Sequence, residues 1–410
     1  MKARHLAAML LLSTTVPAAP AVPGLLPTSV ARPLLDQDPS VAAARASLEA
    51  ARVEAGLLES SPYEWTARLS GQRRSLEAGP RYTEWNATIE KPWRLPAKAA
   101  ADRDLATATL EEAEARLGDA LHESARELAS LWIDWLGAES ARALAESMRG
   151  AAQENLAAVD KRVRAGDASK LDLNIAQGEL AEQRRTANEA STQASIALAR
   201  LQARFPGIPR NPMPLATPVP LDEDVGFWLR RILAQSDEVK LADAQWRKAR
   251  SLAARARAER TPDPTVGLYT ASEIGGQERI VGVTVSVPLP GGRRSRRADQ
   301  AVHSVEAARQ EAALRRRSLE AEVAAAVANV EGTLRGVEIA DAGAAAMRSS
   351  AELMRRAYTL GEADLQALLT ARRLATAAEN HALAARVAAL KARHLLLIDA
   401  HLVWDLEHDR

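Results

Sequence analysis

Val281-Gly-Val-Thr-Val-Ser-Val287, followed by Pro288-Leu-Pro-Gly-Gly-Arg293, decides how this chain is read. Val281, Val283, Val285 and Val287 alternate with Gly282, Thr284 and Ser286. Such period-two alternation gives a strand one apolar and one polar face. Tyr63, Trp65, Ala67 and Leu69 alternate in the same way with Glu64, Thr66 and Arg68, and Trp85, Ala87 and Ile89 with Glu84, Asn86, Thr88 and Glu90. Val266 and Leu268 repeat the pattern more weakly beside Thr265 and Gly267. The spacing predicts strands over about 63–70, 82–91, 264–270 and 279–287. One apolar face fits a soluble hairpin packed on helices, the commoner case for a hairpin taken alone, and it also fits a membrane barrel, where Trp and Tyr gather at the lipid interface. Four strands cannot close a barrel, since membrane barrels begin at about eight and lipid tolerates no open edge. Several chains must therefore share one: two would supply eight strands, three would supply twelve.

The strands sit inside a duplication. Residues of about 34–205 repeat as about 223–402. Asp38-Pro-Ser-Val-Ala aligns with Ser236-Asp-Glu-Val-Lys, Asn86-Ala-Thr-Ile-Glu-Lys-Pro92 with Gly282 to Pro288, and Arg164-Ala-Gly-Asp-Ala-Ser169 with Thr359-Leu-Gly-Glu-Ala-Asp364. The expected organisation is a first repeat over 22–205, a Pro-rich linker over 206–222 and a second repeat over 223–410. The linker holds Pro206, Pro209, Pro212, Pro214, Pro218 and Pro220, which stiffen and extend it.

Between the turns the pattern is helical. Leu110, Leu117, Leu121, Leu128, Leu131 and Trp135, then Met148, Leu156, Val159 and Val163, form one stripe at three-, four- and seven-residue spacings. A second stripe carries Val305, Ala312, Val323, Val330, Leu334 and Val337. Long helices are expected over about 97–163 and 294–358, each roughly 100 Å long at 1.5 Å per residue. Return helices over about 169–205 and 363–403 and leading helices over about 35–60 and 224–260 stack end to end into composite columns of similar length. The expected fold is mainly α with a small β part: duplicated long helical hairpins, with four strands per chain given to a shared barrel. Columns of this length suit a tunnel and no globular domain.

Composition narrows the function. Lys2 and Arg4, the apolar run Ala7–Leu12 and Ala19-Pro-Ala21 read as a signal peptide over 1–21. The absence of cysteine excludes disulfides, thiolate chemistry, cysteine zinc sites and a lipid-modified N-terminal cysteine. Basic and acidic residues balance, 54 against 53, so no nucleic-acid footprint is expected. Alanine dominates while only two Phe and four Tyr occur, which argues for slender helical layers rather than thick cores. No phosphate loop, nucleophile elbow, HExxH or paired carboxylates occur, so no catalytic residue, cofactor or metal site is assigned. His394, His401 and His408 recur every seven residues, too far apart along one helix for a single ion and better read as a solvated or interfacial helix end.

With these pieces assembled, the chain resembles the TolC-like outer-membrane efflux proteins. The resemblance rests on the duplicated strand–turn–strand feeding a long helix, on the junction Pro288, Gly291, Gly292 and Arg293, and on the paired turns at Gly166 and Gly361. The short termini are similar to those of the heavy-metal-efflux branch. Membership would imply a homotrimer in the bacterial outer membrane, a trimeric α-barrel in the periplasm capped by a 12-stranded β-barrel to which each protomer gives four strands. It would also imply a periplasmic adaptor (a membrane fusion protein), an inner-membrane pump of the RND type, and outer-membrane lipid around the strands. The chain would then be the passive exit duct of a tripartite efflux or secretion system. The turns carrying Gly166, Ser169, Tyr358, Gly361 and Asp364 would match the family's adaptor-docking tip. Asp172 would fall where the family often places an acidic residue at the pore constriction; the equivalent position in the second repeat is Ala367, so the ring would be thinner. Arg293, Arg294, Arg296 and Arg297 form a cationic turn that reads first as a solvated helix start, and otherwise as a contact for lipid headgroups or an anionic cargo. The competing reading is a periplasmic coiled-coil structural or adaptor-like protein that forms no channel.

Overall fold

The computed structural model describes residues 22–75 and 77–406, so the stretch read as a signal peptide, and His408, lie outside the described residues. Two helices set the length of the molecule, α3 (Pro96–Ala165) with 70 residues and α7 (Gly292–Leu360) with 69. Each spans about 105 Å. The preceding helices are α1 (Thr28–Asp36) and α2 (Pro39–Glu59) in the first half, α5 (Val225–Gln235) and α6 (Asp237–Ala258) in the second. The return helices α4 (Lys170–Arg204) and α8 (Leu365–Asp399) have 35 residues each. α2 and α4 share the length of α3, α6 and α8 that of α7, and α3 also packs on α6 and α8.

The first leading helix is met by α2, with the unexpected α1 ahead of it, while the second is broken into α5 and α6; both boundaries have the same cause. Asp38 accepts a hydrogen bond from Ser40 N (2.7 Å), and Pro39 fills the first helical position, where its missing N–H costs nothing. Ser236 Oγ accepts from Val239 N (3.3 Å). A cap stronger than the helix it interrupts starts a new one. α8 stops at Asp399, short of the expected 403. There His401, Trp404 and Asp405 adopt left-handed φ values of 52°, 65° and 43°. They fold the C-terminal segment back, and Trp404 Nε1 donates to Leu26 O at 2.8 Å.

Along the columns the buried positions recur every seven residues: Leu180, Ala187, Ala194 and Leu201 on α4, and Leu368, Ala375, Ala382, Ala389 and Leu396 on α8. That period imposes a left-handed supercoil, and alanine at the seam lets the helices approach closely. The tightest point is Gly137, where an added Cβ would lie 2.8 Å from Val387 Cγ2. The expectation of slender layers throughout fails midway, where α1, α5 and the C-terminal segment thicken the bundle. Trp132 and Trp135 meet edge to face at 5.1 Å inside a cluster with Leu35, Leu128, Leu201 and Ile232. Trp132 Nε1 donates to Gly24 O (3.1 Å), so the ring is buried without an orphaned donor.

The strands β1 (Thr66–Ser75), β2 (Arg81–Pro92), β3 (Thr265–Glu273) and β4 (Glu278–Ser286) form one antiparallel sheet in the order β1-β2-β3-β4. The two hairpins, far apart in sequence, join through β2 and β3. β1 begins later than the alternation suggested. Tyr63 precedes the strand and turns its hydroxyl to Asp263 Oδ2 (2.6 Å) rather than joining the apolar face.

Candidate functional site

The register assigns every strand residue to a face. Leu69 pairs with Ala87, Ala67 with Ile89, Ile89 with Leu268, Leu268 with Val283, and Val266 with Val285. One face is thus mainly apolar midway along all four strands, with Thr270 set between Ala87 and Val281, and Arg73, Thr83, Lys91 and Arg279 towards its ends. The other carries Arg68, Thr88, Tyr269 and Gly282, then Thr66, Glu90, Gly267 and Thr284, in matching rows. On the apolar side Val281, Val283 and Val285 are 82%, 65% and 66% exposed; on the polar side Glu84 and Gly267 are buried while Arg68, Thr284 and Ser286 are exposed. Glu84 accepts from Gln72 Nε2 (2.8 Å) and pairs with Arg74 Nε (3.0 Å). Glycine keeps the polar face packed: a Cβ at Gly282 would meet Tyr269 Cε1 at 2.4 Å. On the apolar face Trp85 and Trp93 stand eight residues apart along β2 and its continuation, about 27 Å by strand rise. Trp65, beside Trp93's end of the sheet, lies 5.5 Å from Lys91 Nζ. Strands of 9 to 12 residues with aromatics near both ends match the apolar band of a membrane barrel, about 25 Å tall. Among the described residues no helix is long and apolar enough to cross a membrane.

Where sheet meets helices, the chain buries a charge network that sequence reading missed. Lys98 is 1% exposed and places Nζ 3.1 Å from Glu259 Oε2 and 3.0 Å from Asp263 Oδ2. Arg94 reaches Asp102 (2.7 Å), Glu259 and Asp263 (3.2 Å), and Arg255 Nε closes on Asp102 Oδ1 at 2.6 Å. Asp263 Oδ1 accepts from Leu95 N at 3.1 Å. Burial opposes charge on Asp263, but hydrogen bonds from Tyr63, Leu95, Lys98 and Arg94 hold its carboxyl below the usual range. Burial and the neighbouring Asp263 push the Tyr63 phenol up. The partners lie up to 200 residues apart, so no local motif announces them.

Pro288, Gly291, Gly292 and Arg293 lie at this same end. Gly291 caps α7 in an extended conformation (φ −115°), and a Cβ at Gly291 or Gly292 would meet nothing, so nothing within one chain explains the glycine pair. Arg294 Nη1 donates to Glu259 O (2.7 Å), tying the cationic turn to the network.

The other end gathers Gly166, Ser169, Asp172, Tyr358, Gly361 and Asp364. Gly166 and Gly361 end α3 and α7 in the left-handed region (φ 85° and 80°), where a Cβ is strained. Asp167 N reaches Arg162 O (2.8 Å) and Glu362 N reaches Ala357 O (2.9 Å), closing both helices alike. Asp364 accepts from Ala367 N at 2.7 Å. Ser169 accepts from Asp172 N (3.0 Å) while Asp172 Oδ2 accepts from Ser169 N (3.0 Å), a complete capping box. Asp172 therefore has a structural task of its own. Leu365, Leu368 and Leu369 share a small cluster with Val159 and Ala176, and Arg162 sits 5.1 Å over the Tyr358 ring.

Of the histidines weighed in sequence, His394 contradicts the expected solvated or interfacial helix end: it is 1% exposed. Burial and the neighbouring Arg393 push it down to about 4. His401 lies past the end of α8 and so does not share a helical face with it.

Comparison with known proteins agrees with this geometry. The family model for outer membrane efflux proteins matches residues 30–204 and 228–397. The fold is that of solved outer-membrane channels. The crystal structures of CusC, described for transmembrane channel formation, align with a TM-score of 0.74 at 18% identity over 91% of this chain and 92% of that one. The outer-membrane channel OprN gives 0.76 at 18% identity over 92% and 91%. The Campylobacter jejuni CmeC channel gives 0.73 at 14% identity over 93% and 86%. A search of curated proteins finds no match. The chain belongs to the outer membrane efflux protein family. It is an efflux channel protein of the outer membrane and not an enzyme.

Proposed function

We propose that three copies of this chain close their sheets into one 12-stranded barrel and their helices into a periplasmic tunnel. In this reading the tunnel passively conducts what an inner-membrane pump of the RND type and a periplasmic adaptor deliver. The observation that carries the reading is the sheet: its apolar face is exposed, and among the described residues its edges β1 and β4 have no partner. In water that arrangement is unfavourable on both counts; in lipid, with neighbouring copies pairing the edges, it is favourable on both. The tip turns at Gly166 and Gly361, about 105 Å of helix from the strands, are assigned to the adaptor, with Ser169, Tyr358 and Asp364 beside them. Three copies of Asp172 about one axis would form an acidic constriction favouring cations. Pro288, Gly291, Gly292 and Arg293 would meet lipid headgroups or the next protomer.

The deciding experiment is the mass of the complex purified in mild detergent from outer membranes. A trimer is expected; monomers, or recovery in the soluble periplasmic fraction, overturn the reading in favour of a coiled-coil protein without a channel. For the finer assignments, Asp172→Asn, which keeps a capping oxygen, is expected to weaken cation selectivity in single-channel recordings with assembly intact. Gly361→Val is expected to abolish complementation of an efflux-deficient strain while the protein still reaches the membrane.

A further inference from the structure

Midway along the columns, away from sheet, junction and tip, three side chains of different chemistry converge. His122 lies in α3, Asp237 is the first residue of α6, and His401 follows the end of α8 by two residues. One donor atom from each lies within 4.8 Å of the other two. The two imidazole rings face each other at 5.4 Å with 23° between their planes. His401 Nε2 stands 3.2 Å from Asp237 Oδ2.

A hydrogen-bonded polar knot would satisfy these nitrogens, and it does not. His122 Nε2 approaches Asp399 Oδ1 at 3.2 Å, but its Nδ1 is buried with no hydrogen-bond partner. His401 Nε2 is buried too, and its approach to Asp237 lacks the alignment of a hydrogen bond. Leaving a buried polar atom unpaired is costly, so each such atom calls for an explanation. Lys240 Nζ takes Asp237 Oδ1 at 3.1 Å, leaving Oδ2 facing His401. Burial disfavours charge on Asp237, but His401 and Lys240 outweigh it and hold the carboxyl below its usual range. Gly118, one turn before His122, permits the approach: a Cβ there would come within 3.0 Å of Asp237 Oδ1. A cavity of about 360 Å³ opens onto His122 and Asp237. Its carboxylates Glu123, Glu238, Glu322 and Asp399 outnumber its cations Arg126 and Arg315, a wall that draws cations in.

We propose that His122, Asp237 and His401 form a binding site for a first-row divalent transition-metal ion, clamping the start of α6 and the C-terminal segment onto α3. Two imidazoles and one carboxylate suit Zn²⁺ and its neighbours; there is no sulfur for a soft monovalent ion, and too few oxygens for Ca²⁺ or Mg²⁺. Ligand bonds of about 2.0–2.1 Å draw donors to roughly 3.3 Å apart, which small side-chain rotations achieve from the present separation. Asp399, on the far nitrogen of His122, would orient that ring as carboxylates behind metal-bound histidines do. The site links both repeats and is independent of the channel reading.

The test uses untagged, detergent-solubilised protein stripped with chelator and then equilibrated with ZnCl₂. Zinc retained per chain after gel filtration and the thermal midpoint are measured. Stoichiometric zinc and a raised midpoint are expected. Both should fall away in His122→Gln and in His401→Asn, with affinity reduced about tenfold or more. Asn is chosen because position 401 has φ 52°, a region Asn tolerates. His381→Gln, at an exposed ring outside the cluster, should bind as the wild type does. Should either variant fail to assemble, Co²⁺ added to the wild-type protein decides, since a site of this donor set gives visible ligand-field bands distinct from Co²⁺ in buffer. No stoichiometric zinc, zinc retained by both variants, or a Co²⁺ spectrum identical to that in buffer overturns the proposal.

Discussion

Val323, Val327 and Val330 on α7 are 3%, 4% and 3% exposed, whereas Val281, Val283 and Val285 on β4 are 82%, 65% and 66% exposed. The side chain is the same and its placement is opposite. In the equatorial bundle valine is driven from water into a packed interior. In the sheet valine stands exposed on the face opposite the polar rows, an arrangement favoured where the surrounding solvent is itself apolar. Burial is therefore a statement about the medium at each level of the molecule, and the residues that make the two regions differ can be tested in pairs.

The largest contrast is expected between Trp132→Ala and Val283→Ala. The first opens a cavity in the equatorial core, where Trp132 is 1% exposed, and should cost about 3–5 kcal/mol. The second removes methyls that lipid or detergent replaces, so the thermal midpoint in detergent should hardly move. Comparable losses would erase the distinction between the regions. Next, Val285→Arg should impair membrane assembly by about 2–4 kcal/mol near the midplane, while Ser286→Arg on the opposite face is tolerated. Heat-stable oligomer on gels reads both, and equal effects would reverse the assigned faces.

A third prediction probes the equatorial region alone. His394, pushed down to about 4, is neutral in the native state and protonates near 6.5 when unfolded. Between these values the unfolded chain binds the extra proton, so the stabilisation is complete above pH 6.5 and lost as pH falls towards 4, on the order of 3 kcal/mol. Thermal midpoints at pH 7 and pH 5 should diverge in the wild type and converge in His394→Phe; the sheet, which contains no histidine, should contribute none of this slope. The smallest effect concerns the seam of α3 and α8. Gly137→Ala gains about 1 kcal/mol of helix propensity but drives a Cβ into the stiff Val387, a clash that costs about 1–3 kcal/mol, so a modest net loss is expected. A stabilised protein would show that the seam yields more readily than its alanine spacing implies.

What sequence could reveal was periodic or local. Alternation placed the valines of β4 on one face because strand geometry has no other period to offer. Gly166 and Gly361 marked the ends of long helices because few other residues accept a left-handed φ there. The breaks at Asp38 and Ser236 were visible as aligned motifs, yet not as breaks, since capping competes with helix continuation and neighbouring packing decides. The salt-bridge cluster around Lys98 and the meeting of His122, Asp237 and His401 could not be read. Their members come from helices and connecting segments far apart in sequence, and spacing along the chain carries no trace of their meeting. His401 shows the difficulty most directly: the seven-residue count from His394 assumes one continuous helix, and three left-handed residues end that continuity.

The unpaired edges of the sheet also govern how stability should be counted. β1 and β4 hydrogen-bond only inward, so a solitary chain presents two templates for strand addition flanking an apolar surface. In the proposed assembly other copies pair those edges, which makes native stability a matter of mass action: the midpoint of unfolding should climb with protein concentration. Between synthesis and pairing the chain is also at its most vulnerable, because correct closure and aggregation compete for the same two strands. Dilution, or a cellular factor that shields β1 and β4 until their partners arrive, would decide which of the two outcomes wins.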